Sequence, residues 1–136
     1  MRRALILAGA LGFVAVALGA FGAHGLKPYL AGRHDAERAA YLLDVWETGC
    51  DYALAHALAL LALASLRARL ASKALTAATW LFLAGSAVFS GTLWLLVLTD
   101  LRWLGAITPL GGLLLLAGWI ACALGAGTSP APGVDP

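Results

Sequence analysis

The chain has 136 residues, of which 62% are hydrophobic and 12% charged, with a formal net charge of +2 and a mean hydropathy of +0.88. A soluble globular domain is about a quarter charged and about 45–50% apolar, so this composition excludes a disordered tail, an ordinary soluble enzyme domain and a nucleic-acid binder. It is the composition of a membrane protein.

The charges divide the chain into four uncharged runs: residues 4–26, 52–66, 74–99 and 103–134. A spanning helix needs about 20 mainly apolar residues to cross a hydrocarbon core of about 30 Å. The first, third and fourth runs are long enough. The second has 15 residues, so its helix must recruit upstream turns, which draws Glu47, Thr48, Asp51 and Tyr52 to one interface. The expected spans lie near 4–24, 47–66, 76–98 and 104–126, a single transmembrane domain over 1–127 followed by a Pro-rich tail over 128–136. A soluble bundle would give every helix a polar face, whereas Leu5 to Phe21 and Leu81 to Leu98 offer only glycine and small hydroxyls against water. A β-barrel would alternate with period two, which these runs do not. The expected fold is therefore all-α: a polytopic membrane protein with four transmembrane helices in a compact bundle and a short amphipathic segment between the first two.

Arg2 and Arg3 precede the first run. With the small residues at Gly19-Ala20 and Gly22-Ala23 they also fit a cleaved signal peptide; the length of the run and the helical register of its glycines and alanines favour a retained helix. Lys27-Pro28 is expected to end that helix, because proline cannot continue the hydrogen-bond ladder. From Asp35, the apolar positions Ala39, Leu42, Leu43, Trp46 and Cys50 follow helical spacing, with Glu37, Arg38, Asp44 and Glu47 opposite. This pattern reads either as an amphipathic helix lying at the interface or as an extension of the second span.

In lipid, close packing relies on small residues that let backbones approach. The candidates are Ala8/Gly12 and Ala15/Gly19/Ala23 with Gly22, then Ser86/Ser90 with Gly91, then Gly111, Gly112 and Ala117/Ala121/Gly125. They predict a tight monomeric bundle or a small homo-oligomer. Trp46, Trp94 and Trp103, with Tyr29, Tyr41 and Tyr52, are expected as interfacial anchors. Cys50 and Cys122 fall about 27 Å apart in depth on this layout, far beyond the reach of a disulfide, so both are expected as free thiols. Arg2, Arg3, Arg67, Arg69 and Lys73 share one side in short segments, which favours cytoplasmic termini in a bacterial inner membrane.

Ionisable groups within a membrane are costly and point to function. His24 ends the first span, and Thr48, Tyr52 and His56 fall at i, i+4 and i+8 on one helical face. With Glu47, Asp51, Asp100 and Arg102 they form a candidate polar cluster at one mouth of the bundle. Three readings apply. The histidines fix helix register; or they bind a metal or move protons with Glu47 or Asp51; or the mouth holds a lipid headgroup or small solute, with Arg102 and Lys27 reaching a phosphate. No HExxH, paired CxxC, P-loop or GxSxG is present, and His24 and His56 sit at mismatched depths for haem. The expectation is a non-enzymatic accessory or partner-binding bundle without a metal or cofactor. Its partners would be the lipid bilayer and another membrane protein or a second copy, with no nucleic acid.

Gly19-Ala20-Phe21-Gly22-Ala23-His24-Gly25-Leu26, Trp46-Glu47-Thr48-Gly49 with Tyr52 and His56-Ala57-Leu58, Phe89-Ser90-Gly91-Thr92-Leu93, and Thr108-Pro109-Leu110-Gly111-Gly112 occur in this order. The set resembles the YgdD-like family of small bacterial inner-membrane proteins, which has eukaryotic transmembrane relatives. That resemblance implies about four membrane helices and brings no established biochemical activity. The motif positions it carries over are Gly22, His24, Thr48, Tyr52, His56, Ser90, Gly91, Pro109, Gly111 and Gly112, none of them with a catalytic role.

Overall fold

A computed structural model describes residues 2–70 and 72–125, and within them the chain forms four long helices. Helix α1 runs over Arg2–Ala31, α2 over Ala36–Arg69, α3 over Lys73–Thr99 and α4 over Leu104–Gly125. Each is long and apolar enough to cross a membrane. The expected tail over 128–136 lies outside the described residues.

One boundary differs from the expectation, and of the two readings of the amphipathic segment the structure has the extension of the second span. Pro28 does not end α1. A π turn over Gly22–Leu26 widens the helix just ahead of it, and α-helix resumes over Lys27–Ala31 with Pro28 in its first turn. A proline ring collides with the carbonyl four residues back in a regular ladder; the wider turn displaces that carbonyl, so the helix passes through. The amphipathic segment proves to be the first turns of α2 itself, started by Asp35, whose carboxylate accepts the Arg38 backbone N–H at 2.8 Å.

Packing follows chain order: α1 lies against α2, α2 against α3, and α3 against α4 most extensively. At the end holding Arg38 and Asp100, Leu26 and Leu30 of α1 meet Leu42, Trp46 and Cys50 of α2, Leu96 and Val97 of α3 and Leu104 of α4. At the other end Ala8, Leu60, Leu63, Leu75, Ala78, Phe82 and Leu115 form a second core. Cys50 belongs to the first cluster and Cys122 borders the second, and both are free thiols. Helix α1 is peripheral: 17% of its apolar window is buried, against 44% for α2.

Small residues set the closest contacts. A Cβ at Gly111 would run into the backbone of Phe89, so α3 and α4 touch main chain to main chain there. A Cβ at Gly22 would stand 2.8 Å from Trp46, and one at Gly49 would stand 2.7 Å from Trp94. Gly85 against Leu115 and Gly118 against Phe82 complete the α3–α4 seam. The seam on α4 therefore runs through Gly111, Leu115, Gly118 and Gly125, which are buried; of the expected Ala117/Ala121/Gly125, Gly125 lies in it and Ala121 is half-buried against the second core. Gly12 makes ordinary contact with Ala57 and Gly112 with Phe89, whereas Gly19 and Gly91 face open space.

Trp46 is also corrected: it is 1% exposed and its indole donates to the Leu18 carbonyl at 2.8 Å, tying α2 to α1 within the core. Trp103, 60% exposed, remains where an interfacial anchor belongs.

Candidate functional site

The eight polar candidates are carried by two helices, α1 and α2, and the loop between α3 and α4, and they divide into separate groups. Asp100 caps the end of α3 in the left-handed region, at φ 54°, a conformation that aspartate tolerates better than most residues. Its carboxylate meets the Arg38 guanidinium at 2.6 Å and so ties the α3–α4 loop to the start of α2. This hydrogen bond and charge hold the Asp100 carboxyl below its ordinary value of 3.8, with Arg102 and His34 adding smaller contributions. Arg102 itself is exposed, as is His24, which sits in the π turn of α1.

His56 belongs to a second group. It is buried, on the face of α2 turned toward α3 and α4. Its Nδ1 lies 2.8 Å from the Tyr52 backbone oxygen. A carbonyl can only accept, so Nδ1 carries the proton and Nε2 presents its lone pair. The indole N–H of Trp119, from α4, donates to that Nε2 at 3.3 Å. Both nitrogens of the neutral ring are thus in use, one within α2 and one across to α4. The imidazole also meets Phe82 edge-on at 5.1 Å between centroids, Phe82 meets Trp119 at 5.0 Å, and Tyr52 stacks on Phe89 at 4.4 Å.

The His56–Trp119 bridge crosses a lateral groove between α2 and α4, whose floor is α3. On one side the groove widens to about 510 Å³ between Tyr52, Phe89, Pro109, Gly112 and Leu116. On the other it holds about 370 Å³ between Ala59, Ala62, Leu66, Leu75 and Cys122. Beside its Pro109 end, the hydroxyls of Thr92 and Thr108 share a hydrogen bond of 2.9 Å between α3 and α4. Whichever donates, the other gives its proton to its own helix, at the Val88 or the Leu104 carbonyl. Ser90 departs from that habit: it and Ser86, both buried, make no hydrogen bond through their hydroxyls.

Glu47 and Asp51 form the third group. They are exposed and four residues apart on α2; Glu47 lines a recess of about 440 Å³ with Asp44 and with Lys27 and Ala31 of α1, and Thr48 is half-buried beside them. Among the described residues neither carboxylate makes an ion pair; the pair found is Arg38–Asp100. Asp51 lies about 20 Å along the helix axis from Arg38 and about 24 Å from Arg67.

Trp119 and Arg38 are the partners that sequence reasoning did not single out. A tryptophan deep in an uncharged run, away from either interface, was the available signal for the first. The second is a long-range contact, 62 positions apart in sequence, which no local pattern reveals.

Four apolar helices with charges confined mostly to their ends, closed by a core at each end, define a polytopic helical membrane protein. Its residues 18–112 match the model of a family described as "Protein of unknown function (DUF423)". The chain is 41% identical over 121 residues to the UPF0382 membrane protein YwdK of Bacillus subtilis, covering 88% of this chain and 92% of that protein. It is 39% identical over 124 residues to the UPF0382 membrane protein SSP2132 of Staphylococcus saprophyticus, covering 90% and 96%. No solved structure matches. The chain belongs to the DUF423 family of membrane proteins.

Proposed function

We propose that this is a non-enzymatic accessory protein of the bacterial inner membrane, of the YgdD-like kind, that binds a partner membrane helix along the free face of α2. The observation that carries this reading is the pair Glu47 and Asp51, exposed on a membrane-spanning helix and without an ion pair among the described residues. Carboxylates drawn toward the bilayer are costly unless a cation or donor meets them, so the face suits a helix that brings Lys or Arg to the same level. His56 supports the non-enzymatic half, because its two nitrogens are occupied by Tyr52 and Trp119 and this imidazole is not free to act as a base. Arg2 and Arg3 lie at the same end of the bundle as Arg67 and Lys73, and these short basic segments support a cytoplasmic side there.

Photo-crosslinkers placed singly at the exposed Ala40, Leu54 and Leu58, which share the face of Glu47 and Asp51, in the full chain expressed in its native membrane, test the reading. The expected result is one heterologous membrane protein captured from all three positions and lost from the Glu47→Gln/Asp51→Asn background. Capture of lipid alone from these positions would overturn it. A second reading, a lipid- or solute-handling protein, is favoured by the lateral groove on either side of His56.

A further inference from the structure

The far end of the groove adjoins a feature of opposite character. Where α2 ends and α3 begins, Arg67, Leu70, Ser72, Lys73 and Thr76 line a polar recess of about 310 Å³. Both charged side chains in it are cations, and the first turn of α3 holds no acidic residue. Arg67 is half-buried and held in place by donating one of its five N–H groups to the Thr79 hydroxyl at 3.4 Å, leaving the rest of the fork available. Neither Arg67 nor Lys73 makes an ion pair among the described residues. Ser72 caps α3 through the Leu75 N–H, and Thr76 returns its hydroxyl to the Ser72 carbonyl, so the hydroxyls frame the recess while the two cations supply its charge.

Leu70 lines this recess and also the apolar half of the groove that runs to Trp119. One leucine therefore separates a two-cation recess at the end of the membrane span from an apolar channel of about 370 Å³ opening sideways from it. A free anion has no use for the channel, and an apolar solute has no use for the cations. We propose that the pair is a binding site for an anionic phospholipid: the phosphate sits between Arg67 and Lys73, and one acyl chain passes Leu70 and lies between α2 and α4 as far as the His56–Trp119 bridge. A guanidinium fork and an ammonium are suited to a phosphate at the bilayer surface, and the channel removes one chain from bulk lipid. The site is separate from the acidic face of α2, and its test is independent of that reading.

The experiment measures thermal stabilisation of the purified full chain in dodecyl maltoside by titrated phosphatidylglycerol, phosphatidylcholine and inorganic phosphate. Two basic side chains near a phosphate predict about a thirtyfold preference for phosphatidylglycerol over phosphatidylcholine. The Arg67→Gln/Lys73→Gln variant should lose that preference, and Arg67→Lys/Lys73→Arg should keep it. Ala62→Phe, which fills the channel wall, should weaken both lipids. If the double Gln variant does not fold, Lys73→Gln alone, at an exposed position, should lower the preference about fivefold. Equal response to the two lipids in the parent, or a preference that survives loss of the cations, would overturn the proposal. So would stabilisation by inorganic phosphate equal to that by phosphatidylglycerol with no effect of Ala62→Phe, which would leave an anion site without a lipid chain.

Discussion

The bridge between His56 and Trp119 makes a quantitative claim about α2 and α4, which otherwise meet only across α3. In His56→Ala three contributions disappear. The Trp119 hydrogen bond, 3.3 Å long and between helices, belongs to a class that contributes about 0.6 kcal/mol on average and up to about 1.7 in membranes. The edge-on contact with Phe82 at 5.1 Å contributes about 0.5–1.5 kcal/mol beyond its buried area. The vacated imidazole volume then leaves a void whose lining loses its contacts. Together these give a destabilisation of about 2–4 kcal/mol. His56→Phe keeps a ring against Phe82 and strands only the indole N–H, so it should cost about 1 kcal/mol.

Reversible unfolding of the full chain by SDS titration in mixed micelles, read by circular dichroism, resolves these values. A double-mutant cycle of His56→Phe with Trp119→Phe isolates the hydrogen bond, for which a coupling of about 0.5–1.5 kcal/mol is expected. A coupling of zero would show that the two side chains are neighbours without being partners. His56→Phe as damaging as His56→Ala would place the stabilisation in hydrogen bonding and not in ring packing.

Two further outcomes follow from local geometry. Gly111→Ala should destabilise by at least about 2 kcal/mol or prevent folding, because its Cβ meets the Phe89 backbone, which has no rotamer to yield; Gly91→Ala, with open space at the same point, should be neutral or slightly stabilising in the same SDS titration. Asp100 gives a pH signature: Arg38 depresses its folded-state value, so the stabilisation is fully present above the ordinary carboxylate value of 3.8 and is lost as the pH falls through the lower folded value. Asp100→Asn, which tolerates the same left-handed backbone, should flatten that acid limb in melts taken between about pH 2 and pH 6; an unchanged limb would assign the acid sensitivity to other groups.

The spans were legible because charge is excluded from them, and the short second run correctly announced that α2 must reach upstream to Glu47 and beyond. What periodicity could not supply was any fact that depends on two helices at once. Trp46 has the spacing of an interfacial anchor, and only the Leu18 carbonyl on α1 turns it inward. Pro28 reads as a stop in one dimension, and the π turn that admits it has no sequence signature beyond the glycines at 22 and 25. The polar residues at one end of the chain's layout were grouped by depth, but depth fixes only one coordinate. Azimuth separates His56 from Asp51, though they lie only five residues apart.

That separation follows from the packing, in which α2 lies against α1 and α3 and reaches α4 through His56. Trp46 and Ala57 look toward α1, Gly49 toward Trp94 on α3, and Tyr52 and His56 into the groove shared with α4. Three of its sides are spoken for by the chain itself, and each is apolar or has its histidine satisfied. The remaining side is the one that carries Asp44, Glu47 and Asp51, all exposed. A helix built to face lipid there would gain from leucine at those positions, as it does at the exposed Leu58 two turns further on. Carboxylates there instead, without an ion pair among the described residues, are the groups that the proposed partner helix would meet.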